Sequence, residues 1–89
     1  MTFSLVAHDP ETGQFGIAVA SRFFAVGALI PHFGQDCAIA SQALVNPMWG
    51  SEGIKLVRQG LSLQNTLAAL QEKDKGADQR QVHIVNRHG

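Results

Sequence analysis

From Thr2 to His8 apolar and polar residues alternate with a period of two. Phe3, Leu5 and Ala7 fall on one face, and Thr2, Ser4, Val6 and His8 on the other. That pattern predicts a strand with two different faces. Asp9-Pro10-Glu11-Thr12-Gly13-Gln14 supplies turn chemistry, because Pro10 fixes its own φ and Gly13 can adopt positive φ. Phe15-Gly16-Ile17-Ala18-Val19-Ala20-Ser21 returns as a second strand. Pairing His8 with Phe15 sets Val6 opposite Ile17, Ser4 opposite Val19 and Thr2 opposite Ser21. Thr2 and Ser21 then share a face at the open end of a hairpin. A slip of one residue would put them on opposite faces.

Val26 to His32 reads as a third strand, with Pro31 marking an edge or an early end. Gly34-Gln35-Asp36 is a turn, and Cys37 to Ala43 a fourth strand of small residues, suited to close packing. Asn46-Pro47 is a helix entry, Asn as cap and Pro at the first helical position. The helix is expected to run to Gln59, with Gly50 and Gly53 weakening it by about 1 kcal/mol each against Ala. Gly60 closes it and Ser62 caps the next, whose Leu63, Leu67 and Leu70 form a narrow core-facing stripe. Asp74 to Asp78 reads as a polar loop and Gln81 to Asn86 as a last strand. The expected fold class is therefore α+β, an antiparallel sheet followed by two helices and a further strand.

Eighty-nine residues make at most one domain, spanning 1–89. A free-standing domain of this size buries only about two-thirds of its unfolded surface. Seven basic and seven acidic residues cancel, and only 7% of residues are aromatic. Neither feature suits electrostatic capture of nucleic acid or an acidic membrane. Between Met1 and Ile54 the only basic residue is Arg22. The single cysteine excludes an internal disulfide framework, and the start Met-Thr-Phe-Ser has no basic segment or long apolar core. Phe23 to Phe33 is too short to span a bilayer. A cytoplasmic chain is expected.

The stretches TFSLVAHDPETGQFGIAVASRFFAVGALIP, SQALVNPMWG and DQRQVHIVNRHG resemble the bacterial and archaeal domain-of-unknown-function family 1028, itself similar to the N-terminal-nucleophile hydrolases. The resemblance covers essentially the whole chain but only the first part of the family's domain. It implies part of a four-layer αββα sandwich, completed by a missing segment, a complementing C-terminal chain or copies of this chain. In such hydrolases the first residue of the mature chain attacks an amide carbonyl and its own α-amine accepts the proton. The free amine has a pKa of about 7.7–8.0, near working pH. The resemblance assigns that role to Thr2 once Met1 is removed; with Met1 attached, the Thr2 nitrogen is an amide and no base. Ser21 stands where proteasome-type sites carry an acid, and no lysine precedes Lys55. Arg22 is a poor proton carrier but can hold a carboxylate. By the same resemblance the backbone amides around Gln42 and Ala43 would form an oxyanion hole, with Asn46 near its rim.

Each of these residues has a plainer role open to it. Thr2 has good strand propensity, Ser21 can satisfy backbone at a strand end, and Arg22 can be a solvated side chain. The four histidines show no metal-ligand spacing, so neither metal nor cofactor is expected. Cys37 reads as a buried thiol and Trp49 as packing. Two functions stay open: hydrolysis of a small-molecule or peptide amide by Thr2, or a non-catalytic binding or assembly module.

Overall fold

The initial alternation does fold into a hairpin. In a computed structural model describing residues 1–89, β1 (Thr2–His8) and β2 (Phe15–Ser21) pair antiparallel in the expected register, Thr2 opposite Ser21. Asp9 closes the turn: its N–H donates to the Gln14 carbonyl, and its carbonyl accepts from Gly13 N–H, with Gly13 at φ 78°. Asp9 Oδ1 also accepts from Glu11 N–H, which holds the Asp9 carboxyl below its ordinary value.

Beyond Ser21 the expectation fails. Instead of a strand over Val26–His32 the chain forms one helical turn, α1 (Val26–Leu29), and a short strand, β3 (Pro31–Phe33). Ala25 enters the turn in the left-handed region at φ 57°, and Ile30 N–H donates to the Val26 carbonyl. The reason is connectivity. β2 and β3 belong to different sheets, so the chain must turn a corner, and a short apolar run is compatible with either conformation. Pro31 starts β3 at a sheet edge, where its missing N–H matters least.

β4 (Cys37–Ala43) lies between β3 and β5 (Arg80–Asn86), antiparallel to both. Its residues from Cys37 to Ser41 are fully buried because both faces are covered. On one face Gln42 reaches Ser4 of the hairpin. On the other, the Ile39 side chain meets Gly53 of α2 (Pro47–Arg58). A strand clamped between two layers needs the small side chains it has. Burial pushes the Cys37 thiol upward in pKa, as suits an inert core cysteine.

Asn46 caps α2 by accepting from Met48 N–H, with Pro47 in the first turn. The helix ends at Arg58, one residue before the expected limit, and Gly60 at φ 98° turns the chain away. Ser62 caps α3 (Leu63–Glu72) through Asn65 N–H. Thr66 and Leu70 are its buried residues, and the Thr66 hydroxyl is satisfied by the Ser62 carbonyl. The polar stretch from Asp74 contains a 3-10 turn at Ala77–Gln79, and β5 begins one residue early, at Arg80. The result is an α+β fold with two antiparallel sheets. The longer helices lie on one side of the three-stranded sheet and the hairpin on the other. No helix is long and apolar enough to cross a membrane.

One ion pair ties the strand β5 to the preceding loop. Arg80 Nε donates to Asp74 Oδ2 at 2.5 Å and Arg80 Nη2 to Oδ1 at 3.1 Å, while Asn46 Nδ2 donates to the same carboxylate at 2.9 Å. The two ion-paired side chains are only 14% and 10% exposed. Arg80, then Asn46, hold the Asp74 carboxyl well below the usual range. A carboxyl depressed in the folded state stabilises the fold above its unfolded pKa of about 3.9, and that contribution is lost as pH falls below it. Melting followed by circular dichroism from about pH 6 to about pH 2 is expected to show a steeper loss in the parent chain than in Asp74→Asn. Parallel curves would remove Asp74 from the acid response.

Candidate active site

Both hydroxyls at the open end of the hairpin point the same way, as the register requires. Thr2 Oγ1 and Ser21 Oγ lie 2.9 Å apart, and Ser21 Oγ also accepts from Phe23 N–H at 3.2 Å. Ser21 thus satisfies backbone at the strand end, and the same hydroxyl lies within hydrogen-bond distance of Thr2. The pair borders a cleft of about 620 Å³ that also includes Met1, Arg22 and Ala43. Four of the six residues expected at the site, Thr2, Ser21, Arg22 and Ala43, therefore meet in one place. Met1 is 91% exposed.

Ala43 is held at φ 68°, a left-handed conformation costing a non-glycine residue about 1–2 kcal/mol. Such strain concentrates at functional sites. Along β4, Ser41 N–H donates to the Ile30 carbonyl on the β3 side and Leu44 N–H to the Gln79 carbonyl on the β5 side. Antiparallel alternation then turns the Ala43 amide toward the β3 side, past the last β3 pair, Pro31 with Ala40. The same alternation turns the Gln42 amide toward β5, in register with Gln81. Of the two amides expected to form an oxyanion hole, only that of Ala43 faces the open side.

Gln42 contributes its side chain instead, on the far side of Thr2. A second groove, of about 550 Å³, runs past Thr2, Ser4, Gln42, Gln81 and His83, with Trp49 at its floor. Gln42 Nε2 donates to the Thr2 carbonyl at 3.2 Å and to Gln81 Oε1 at 3.0 Å. Because the Thr2 carbonyl can only accept, the amide orientation is fixed and Gln42 Oε1 faces Ser4. Ser4 must then donate its one hydroxyl proton to Gln42 Oε1, and His83 Nε2, 2.7 Å from Ser4 Oγ, must carry hydrogen. A Ser–His contact of this length otherwise suggests a nucleophile and its base. Here the direction of the hydrogen bonds excludes that role for Ser4. The network instead satisfies polar groups between the sheets and clamps the Thr2 carbonyl.

Asn46 stands apart from the cleft. Both ends of its side chain are engaged, Oδ1 as the cap of α2 and Nδ2 on Asp74. Ser4, Gln81 and His83 are not among the residues expected from sequence. Their signal is a polar residue on the inward face of a strand, legible only once that face is known. No three His, Cys, Asp or Glu side chains gather as a metal site.

Comparison with known proteins agrees with the motifs. No curated protein matches. A crystal structure of a Silicibacter pomeroyi protein of family DUF1028 superposes with a TM-score of 0.90 at 32% identity, over 97% of this chain and 41% of that one. The chain thus spans less than half the length of this solved relative. Residues 2–89 match the family described as of unknown function, DUF1028, and to that family the chain belongs.

Proposed function

We propose that the chain carries the nucleophile of an N-terminal-nucleophile amidohydrolase. The observation that carries this reading is the 2.9 Å contact of Thr2 Oγ1 with Ser21 Oγ at the edge of a cleft. With Met1 removed, the Thr2 amine takes the hydroxyl proton as Oγ1 bonds to the amide carbon. The proton passes to the departing amine as the C–N bond breaks, and water then hydrolyses the ester. Ser21 orients the hydroxyl, and the Ala43 amide is the donor for the developing oxyanion. The outward face of the hairpin supports a four-layer sandwich, because Phe3 and Leu5 lie there 66% and 62% exposed. Such a face calls for a covering layer, which we assign to the rest of the family's domain, whether in the same polypeptide, a complementing chain or a second copy.

The test is intact-mass spectrometry combined with a β-lactone probe. Molecules short by one methionine are expected to carry the label on Thr2, and molecules retaining Met1 to carry none. Methionine-free chains that never label at Thr2 would leave the non-catalytic assembly module as the reading.

A further inference from the structure

Thr2 lies between two clefts, and only one of them offers a free cation. In the polar groove Arg80 is committed, to Asp74 through two nitrogens and to the Leu44 carbonyl through Nη1. In the cleft beside Ser21, Arg22 is the only lining residue with a charged side chain, the other positive group being the amino terminus, and no acidic side chain faces it. Arg22 belongs to neither ion pair of the fold, Arg80–Asp74 or Arg87–Asp36. Around it the wall is apolar, formed by Phe23, Val26, Leu29, Ile30 and Leu44. An unpaired guanidinium at the rim of an apolar cleft is matched to a carboxylate joined to an apolar body, since Arg binds carboxylates in a bidentate fork.

We infer that the amide acted on at Thr2 has an apolar body bearing a carboxylate, with the body along Val26 and Leu29 and the carboxylate on Arg22. An N-acyl amino acid and an apolar peptide with a free C-terminus share this chemistry. The assignment as substrate rests on the nucleophile reading above, whereas the binding preference does not.

The experiment titrates the whole chain with N-octanoylglycine and its neutral glycinamide, and with a short apolar peptide in free-acid and C-amidated forms. Binding is followed through the methyl resonances of Val26 and Leu29, and protection of Thr2 from the β-lactone is measured in parallel. The acid is expected to bind about tenfold more tightly than its neutral partner, and Arg22→Gln to bring the two within about twofold. Preference within the acyl-glycine pair alone selects an N-acyl amino acid; preference within the peptide pair alone selects a peptide. Equal binding of acid and neutral forms, or a preference that survives Arg22→Gln, overturns the inference. If the acid preference holds but Thr2 never labels, the cleft's ligand chemistry stands and the nucleophile reading falls.

Discussion

Replacing Thr2 by alanine is expected to lower covalent labelling and amide turnover by about three orders of magnitude or more, because the bond-forming oxygen itself is gone. The fold should survive. Thr2 is a half-buried residue at a strand end, and the lost hydrogen bond to Ser21 is worth about 1 kcal/mol. Thr2→Ser keeps a hydroxyl on the same carbon and should retain most of the labelling. Ser21→Ala leaves the nucleophile in place and removes only its orienting partner, so about a tenfold loss is expected. Quantitative mass spectrometry of probe adducts, alongside melting curves, separates these cases. Undiminished labelling in Thr2→Ala would place the reactive group elsewhere.

Gly50→Ala should destabilise the fold even though helix propensity argues the reverse. Within an isolated helix the change gains about 1 kcal/mol. In the folded chain a Cβ at this position would stand 2.1 to 2.3 Å from Cγ, Nδ1 and Cδ2 of His32. These are atoms of a ring held between strand and helix, so the ring, the helix or the strand must move. His32 Nε2 is already buried without a partner. Overpacking of this kind costs about 1–3 kcal/mol, and so close an approach belongs at or beyond the top of that range. A net loss of about 2 kcal/mol is expected, lowering the melting temperature by about 10 °C in a domain of this size. Urea and thermal unfolding measure it. A more stable Gly50→Ala chain would refute the close approach of α2 to β3.

The hairpin register and the Thr2–Ser21 pair were legible from sequence because both rest on local rules. A period of two fixes the faces, and a short turn with Asp9 and Gly13 fixes which residues meet. The caps at Asn46 and Ser62 were legible for the same reason, since a cap bonds a neighbour two or three residues on. α1 was not: an apolar run such as Val26–Ile30 suits a strand or a helical turn, and the change of sheet between β2 and β3 decided the matter. The Ser4–Gln42–His83 network lay further out of reach. Its members are 38 and 79 residues apart, and no periodicity along the chain reports which polar side chains two stacked sheets will bring face to face. The sequence by itself determined β1, β2, β4 and β5, the caps and the two hydroxyls at the hairpin mouth. Only the tertiary structure decided what surrounds them: the strained Ala43, the apolar cleft with Arg22 and the clamp on the Thr2 carbonyl. Backbone propensity and turn chemistry act over a few residues, whereas side-chain contacts between layers depend on how those layers are stacked.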